Sequence, residues 1–178
     1  MPKSLADGRI KISIMTAKPV DPYKTTVAEL NAGIDAACRI VSTDYNLGAT
    51  ASETVNEKAL CQEGNATTPT TSNYEGSFTV FRYFDPVTGK AESAATGPGG
   101  DVGDAVFQAL KMKGSRVWIA QRFTSKKSTD AWAAGDEIEV FEVVTDNPQS
   151  AGAEGYIKKK ISLFVQDAWL NGEVATAG

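Results

Sequence analysis

Histidine is absent from the chain, and its absence limits the chemistry that the side chains can do. Imidazole is the commonest general base and the commonest transition-metal ligand in proteins. Ser-His-Asp triads, Cys-His pairs, HExxH helices and histidine-based zinc sites are therefore excluded.

Carboxylates are the remaining candidates for acid–base or metal chemistry. Glu137, Glu139 and Glu142 fall on one predicted strand, where the first two share a face and the third lies on the other. They do not form the facing pair that a glycosidase needs. Asp101 and Asp104 belong to no DxDxDG calcium-loop pattern. We therefore expect no enzymatic activity, no metal and no cofactor.

Two further segments could contact a phosphate. The glycine-rich segment Gly97–Asp101 precedes a predicted helix, but it matches neither GxGxxG nor GxxxxGK[ST]. The lysine run Lys158–Lys160 lies within an alternating strand pattern and lacks a broader basic surrounding. We interpret the first segment as the loop before a helix cap. The second is either an exposed charged face or a partner for the acidic loops of a neighbouring subunit.

Charge and cysteine content describe an acidic protein without a disulfide framework. The 22 acidic and 18 basic side chains give a formal charge of −4, so no net attraction to nucleic acid or to an anionic bilayer is expected. Cys38 and Cys61 lie on separate segments, and we expect two free thiols. No apolar stretch has the length of a signal-peptide core or a membrane span, which predicts cytoplasmic synthesis and no membrane contact.

Hydrophobic periodicity predicts a strand, a short helix and a second strand in the N-terminal part. Isoleucines alternate with more polar residues over 9–15, as in a strand with one buried face. Thr26 and Glu29 have the spacing of a capping box, which predicts a helix over 26–32. The alternation over 34–41 then predicts a second strand.

The segment 42–73 has a different composition, because small and polar residues dominate it. We expect a long excursion with at most two short strands, near 45–51 and 53–61, and largely unstructured in the isolated chain. Four larger side chains could anchor it: Tyr45, Leu47, Val55 and Leu60. A connection of this length usually serves a function or a partner.

The second half of the chain predicts mostly strands. Residues 74–84 carry apolar side chains on both faces, as in a strand that is covered on both sides. A helix is expected over 101–112, with Asp101 as its N-cap. Its packing face would consist of Val102, Val106, Ala109 and Leu110. The last predicted strands cover 116–123, 136–145 and 156–165.

Together these elements predict a mainly β protein: an antiparallel β-sandwich or barrel with one flanking α-helix. We expect a single domain over 1–178, with an N-terminal segment over 1–20, the excursion over 42–73 and a C-terminal tail over 167–178.

Several segments of the chain resemble the major tail protein, or tail tube protein, of long-tailed, non-contractile bacteriophages that infect actinobacteria. They are Leu60–Gly64 (LCQEG), Ser72–Asp85 (SNYEGSFTVFRYFD) and Gly135–Val143 (GDEIEVFEV). The helix region Thr26–Gly33 and the start of the last strand, Gly155–Lys158, are similar too. The resemblance implies a β-sandwich or barrel subunit that assembles into hexameric rings, which stack into a hollow tube for genome delivery.

The resemblance also implies the partners and the location of the protein. The partners would be further copies of the chain, other tail proteins at the tube ends, a tape measure inside the tube, and passing double-stranded DNA that is not specifically bound. The protein would be made in the host cytoplasm and reside in the virion tail. The excursion and its four anchoring residues would contact the next ring.

A mild acidic excess suits a conduit that must let DNA slide, because a lumen that attracted phosphates would retain it. The candidate lumen-facing acids are Asp35, Glu53, Glu57, Glu137 and Glu139. Strand parity indicates which of them share a face, but not which face lies inside.

Two other classes of function stay open on the sequence. One is a monomeric β-sandwich module that binds a ligand such as a carbohydrate, with Trp118, Trp132 and Trp169 as a stacking platform. The other is a small enzyme whose carboxylates converge from distant strands. A ring-forming oligomer would argue against the first, and a pocket holding two carboxylates would favour the second.

Overall fold

The computed structural model describes residues 5–61, 63–64, 66–94 and 101–176. Within these ranges the chain forms short 3-10 turns at Pro22–Lys24, Ala37–Arg39 and Ser42–Asp44, and helices α1 (Val27–Ala32) and α2 (Ala105–Leu110). The strands are β1 (Ile10–Met15), β2 (Ile34–Asp35), β3 (Asn46–Thr50), β4 (Thr54–Asn56), β5 (Thr67–Pro69), β6 (Asn73–Phe81), β7 (Arg116–Phe123), β8 (Glu137–Thr145), β9 (Gln149–Ser150) and β10 (Lys158–Glu173). The prediction of a mainly β, antiparallel protein is confirmed.

One antiparallel sheet contains most of the strands, in the order β2-β1-β7-β8-β10-β6-β3, with β9 paired to β10. The long strand β10 connects the two halves of this sheet. Its first part, Lys158–Leu163, pairs with β6, and Leu163–Glu173 pairs with β8. Register shifts after Val165 and after Trp169 interrupt the β8 pairing, and bulges of this kind bend a strand and increase its twist.

The sheet curls over, so that distant strands in its order come together. Gln121 of β7 donates a hydrogen bond from Nε2 to the carbonyl oxygen of Leu47 on β3, at 3.2 Å. The Tyr45 hydroxyl, just before β3, donates to the Gln121 side-chain oxygen. These contacts close the open edge in the manner of a sandwich.

The main core lies between the two halves of the curled sheet. Ile14, Ile119 and Phe141 project from β1, β7 and β8 toward Phe78 and Ile161 on the facing half, and all five are completely buried. A second cluster lies on the opposite side of β1, β7 and β8, where Leu30 of α1 covers it. The burial of both faces explains why these strands are rich in apolar residues.

Strand β1 therefore differs from the prediction of one buried face. Its alternate residues Lys11, Ser13 and Met15 are buried as well. The polar ones have partners: the Ser13 hydroxyl donates to the Leu30 carbonyl at 2.7 Å, and Lys11 Nζ lies 2.8 Å from an oxygen of Asp35. A polar side chain can be buried at low cost when it is hydrogen-bonded in this way.

Helix α1 confirms the helix predicted over 26–32. The Thr26 side chain accepts from the Glu29 N–H, and the Glu29 carboxylate accepts from the Thr26 N–H, as a capping box requires. The carboxylate of Glu29 also accepts from the Val20 N–H at 2.8 Å, which ties down the preceding chain. Burial alone would raise the pKa of Glu29, but these hydrogen bonds hold it below its usual value.

The strand predicted over 34–41 is wrong beyond Asp35. After β2 the chain forms a 3-10 turn, Ala37–Arg39, in which Ala36 and Ile40 are buried while Cys38 is exposed. Apolar residues four apart suit a helical turn as well as an alternating strand. The Ala36 N–H donates to the Ile12 carbonyl, and this bond ends the pairing with β1.

Helix α2 is shorter than the predicted 101–112 and begins after Asp104, not after Asp101. Asp101 instead accepts from the Gly103 N–H and pairs with Arg39. Of the predicted packing face, Val106 and Leu110 are buried, whereas Val102 and Ala109 are only partly buried. Phe107, which was not assigned to that face, is also buried, with 8% of its surface exposed.

Other strand boundaries also differ from the predicted ones. β6 covers most of the predicted 74–84, but Phe84 lies outside it and is exposed. The last strand extends to Glu173, so residues 167–173 of the predicted C-terminal tail belong to the sheet. The strands predicted over 116–123 and 136–145 match β7 and β8 closely. The glycine-rich loop residues 97–100 lie outside the described ranges.

Candidate functional site

A hairpin formed by residues 51–72, here called the arm, is the most exposed part of the described chain. Its strands β4 and β5 form a separate two-stranded sheet. Apart from the partly buried Ser52, every described residue of the arm is exposed. The Glu53 N–H donates to the Thr71 carbonyl at 2.9 Å, and the Thr70 N–H donates to the Glu53 carbonyl at 2.7 Å. The arm is thus held by its own backbone and not by a core.

The four residues expected to anchor the excursion divide between the arm and the core. Val55 and Leu60 are on the arm, with 43% and 109% relative exposure. Leu47 is buried at 6% exposure, and Tyr45 stacks on Phe78 with ring centroids 5.9 Å apart. Leu47 lies in the core on β3, and Tyr45 is partly buried against Phe78 just before β3, so Val55 and Leu60 are the two of the four that the arm exposes toward another ring. The expected limit of two strands is wrong, since β3, β4 and β5 all fall within 42–73.

The candidate lumen acids do not share one surface. Glu53 and Glu57 are exposed on the arm. Asp35 pairs in register with Ser13, on the opposite side of the sheet from Glu139, and its charge is compensated by Lys11. One inner surface cannot contain all five candidates.

Glu137 and Glu139 lie at the end of β8, on the face that packs on the core. Their register partners are Glu173 on β10 and Gln121 on β7. Gln121 Nε2 donates to the Glu139 carboxylate at 2.6 Å, while Phe141, two residues along the same face, is completely buried. Glu137 and Glu139 are therefore poorly placed to line a lumen formed by a broad sheet surface, because the same face of β8 is buried in the core at Phe141.

A cleft of about 270 Å³ opens at this end of the sheet. Glu137, Glu139 and Glu173 line it together with Gln121 and Phe123. Glu173 was not among the predicted site residues, because the last strand was predicted to end at residue 165. Glu173 lies eight residues beyond that point. The sequence could have indicated its position only if the pairing of Glu173 with Glu137 on β8 had been known.

Burial and the nearby Glu139 carboxylate change the pKa of Tyr45, which lies next to the cleft. Its hydroxyl reaches Gln121, whose side chain also contacts Glu139. Burial first, and the Glu139 carboxylate second, raise the pKa of Tyr45 well above its ordinary value. The phenol therefore stays protonated and serves as a hydrogen-bond donor that closes the core.

The cleft brings Glu137, Glu139 and Glu173 together, which is the convergence of carboxylates expected of the enzyme alternative, but the described residues form no metal site. Within those ranges no group of three or more histidine, cysteine or acidic residues could hold a metal ion. Cys38 and Cys61 are both free and exposed. No helix within the described ranges is long and apolar enough to cross a membrane.

The three tryptophans do not form a stacking platform. Trp132 is buried, and Trp118 and Trp169 pack on the same cluster beside α1. Lys18 lies over the ring of Trp169, with Nζ 5.3 Å from its centroid. The arrangement is that of a secondary core, which does not favour the carbohydrate-binding alternative.

Comparison with known proteins favours a structural role over the two alternatives. The model of a phage tail tube protein family matches residues 1–178. No curated protein sequence matches the chain. The fold is similar to that of the SPP1 tail tube, determined by solid-state NMR and cryo-EM, with a TM-score of 0.51, 16% identity, and coverage of 94% of this chain and 79% of that one.

A weaker likeness is to a chain of the six-fold symmetrised cryo-EM structure of the anti-feeding prophage baseplate. It has a TM-score of 0.45 and 14% identity, and covers 95% of this chain and 96% of that chain. The match of the family model over the whole length identifies the chain as a member of the phage tail tube protein family.

Proposed function

We propose that this chain is the major tail protein of a long-tailed phage with a non-contractile tail and an actinobacterial host. It assembles into hexameric rings, which stack into the tube through which double-stranded DNA leaves the virion. The protein is made in the host cytoplasm and resides in the virion tail, with other tail proteins at the tube ends and a tape measure inside. The whole-length family match is the observation that carries this proposal.

The exposed arm supports self-assembly as the task of this subunit. Leu60 and Val55 expose large apolar side chains on a hairpin that has no core of its own. A ring or stack of identical subunits needs heterologous contacts, in which one patch meets a different patch on the next copy. The arm is the element through which we expect one ring to engage the next.

Electron microscopy of the concentrated, purified protein tests the proposal. Hollow tubes built of stacked six-fold rings are expected, and sedimentation velocity should show large assemblies at the same concentration. A protein that stays monomeric under every concentration and salt condition tested would contradict the proposed function.

An arm deletion separates assembly from folding. Thr50 and Asn73 are direct partners in the β3–β6 register, so a short Gly-Ser turn can connect them without disturbing the sheet. A deletion that began at residue 42 would also remove Leu47 from the core. We expect the variant joined at Thr50 and Asn73 to fold like the parent and to form no tubes.

Two of the five candidate acids, Glu53 and Glu57, are retained as residues that line an acidic lumen. Glu53 and Glu57 are exposed, and the described residues place no cation in an ion pair with either. In a six-fold ring each such carboxylate is repeated six times, and it repels phosphates within a Debye length of about 8 Å. We propose that these two acids, where they face the lumen, keep DNA off the wall.

A further inference from the structure

The two ends of the long central strands carry opposite charge. β7 runs from Arg116 to Phe123, and β8 runs antiparallel to it from Glu137 to Thr145. We call the end with Glu137, Glu139 and Glu173 the acidic end. The end with Lys111, Lys113 and Arg116 is the basic end.

The carboxylates of the acidic end have no cationic partner. None of the ion pairs among the described residues includes Glu137, Glu139 or Glu173. Several cations lie near this end of the sheet: Arg122 and Lys126 pair with Asp136, Lys11 pairs with Asp35, and Arg9 and Lys24 are in no ion pair of the described chain. The residues that line the open cleft itself include three carboxylates and no cation.

An apolar side chain accompanies these carboxylates. Phe123 lines the same cleft and has 46% of its surface exposed. The cleft, of about 270 Å³, is thus walled by acids, amides and one aromatic ring. Long side chains with an aliphatic stem and a cationic head suit such a surface, because the stem packs while the head pairs.

The basic end presents side chains of that kind on a fixed turn. Lys113 and Arg116 have 67% and 56% of their side chains exposed, and Met112 between the two lysines is 63% exposed. The Thr145 hydroxyl donates to the Met112 carbonyl at 2.6 Å, and the Gly114 N–H donates to the Thr145 carbonyl at 2.8 Å. These two bonds hold the turn against the end of β8.

Some of this positive charge is compensated within the molecule. Arg116 pairs with Glu142, and Lys113 lies 3.8 Å from Asp146. Lys111 bonds only to the neutral side chain of Gln108. The run Lys158–Lys160 extends β10 beyond the last β8 pair at Leu163, on the same side of the molecule, and adds further cations.

The acidic and basic ends cannot meet within one subunit. The eight residues of β7 separate them, a distance of roughly 25 Å at about 3.3 Å per residue. This exceeds the Debye length of about 8 Å at physiological salt. Two identical ends facing each other would repel, whereas unlike ends attract, so the charge pattern favours a head-to-tail contact over a two-fold symmetric one.

We propose that successive copies of the chain contact each other head to tail through these ends, with Lys111 and Lys113 of one copy at the Glu137–Glu173 cleft of the next. The inference rests on the proposed tube-forming function and specifies the surface that stacks one ring on another. The arm leaves the sheet at Thr50 and Asn73, the end of β6 opposite to the Lys158 pair. It therefore emerges away from the lysine run and can reach the next copy independently.

A charge-swap series tests the contact. The acidic-end variant carries Glu137→Lys and Glu173→Lys, the basic-end variant carries Lys111→Glu and Lys113→Glu, and the swapped variant carries all four changes. Lys18→Glu, at an exposed position over the Trp169 ring in the middle of the β8–β10 pairing, is the control for a change of charge away from both ends. Circular dichroism and thermal unfolding confirm that each variant folds, and electron microscopy scores the tubes.

We expect both two-residue variants to lose tubes at concentrations where the parent and the control form them. The swapped variant should recover tube formation, because its ends are complementary again with reversed sign. Normal tubes from either two-residue variant, or a folded swapped variant without tubes, would overturn the inference. If the parent itself forms no tubes, it is the proposed function that fails, and this result is distinguishable from failure of the charge contact.

Discussion

Arg122 is the largest fully buried side chain in the described chain, and its replacement by methionine tests how the loop before β8 is held. Its guanidinium lies 2.9 Å from the Asp136 carboxylate. It also donates to the carbonyl oxygens of Ala131 and Lys127, each at 2.9 Å. One side chain thus binds both the loop and the strand that follows it.

The expected loss of folding stability depends on which groups Arg122→Met leaves without a hydrogen-bond or ion-pair partner. Methionine fills much of the volume, but the carbonyls of Lys127, Asp130 and Ala131 lose their donor and Asp136 loses one of its two cations. Removing one partner of a buried ion pair typically destabilises a protein by about 3–5 kcal/mol. Lys126 and the Ala133 N–H still contact Asp136, so we expect a value near the lower end.

Urea unfolding followed by tryptophan fluorescence measures this difference. Trp132 lies under the guanidinium, with its ring centroid 5.2 Å from Arg122 Cζ, so its emission reports on the site. With a urea dependence of roughly 2 kcal/mol per molar, the midpoint should fall by about 1.5 M. A midpoint within about 0.3 M of the parent would refute the view that Arg122 holds the loop.

The same site predicts a dependence on pH. Burial raises the pKa of Asp136, but hydrogen bonds from Lys126, the Ala133 N–H and Arg122 outweigh it, so the pKa lies below its ordinary value. A carboxyl with a depressed pKa in the folded state stabilises the protein above its unfolded pKa, and this stability is lost as the pH falls through the folded pKa. Asp136→Asn should therefore reduce the loss of stability on acidification. An unchanged acid profile in this variant would contradict the assignment.

Four further variants separate the core, the arm and the lumen. Val106→Asp places an unpaired carboxylate at a position with 1% exposure. It should destabilise the protein by several kcal/mol and give insoluble protein. A soluble variant that unfolds at the same midpoint as the parent would show that α2 does not cover the core. Leu47→Ser should lower the unfolding midpoint, whereas Leu60→Ser should leave it unchanged and reduce tube formation, and equal effects of the two on stability would contradict the division between core and arm. Glu53→Lys with Glu57→Lys should increase the duplex DNA retained by assembled tubes at low salt, measured by co-sedimentation, and unchanged retention would remove both acids from the lumen.

The elements that the sequence predicted well are those encoded by neighbouring residues. The capping box of Thr26 and Glu29 is a local arrangement of two side chains and two backbone groups, so its spacing is sufficient to locate α1. The strands β7 and β8 have a strong apolar pattern and were placed closely. Where the pattern was compatible with two structures, as for Ala36 and Ile40, the tertiary bond from Ala36 to Ile12 decided between them.

Packing faces were harder to predict, because periodicity does not show what covers a strand. Lys11 and Ser13 are polar and suggested a solvent-facing side of β1, yet α1 and Asp35 supply their partners. Leu47 lies in a polar stretch and suggested a surface role, but its register opposite Gly76 places it in the core. In each case the deciding contact comes from a segment distant in the chain.

Three properties could be deduced from the amino-acid sequence: the protein is mainly β, histidine-dependent chemistry is excluded, and one segment has too few apolar residues to form a core. These properties depend on composition and local spacing. Which charges lie together depends instead on how distant strands pair. Strand register places Glu173 beside Glu137 and moves both about the length of β7 from Lys113, because antiparallel pairing joins residues that the sequence separates.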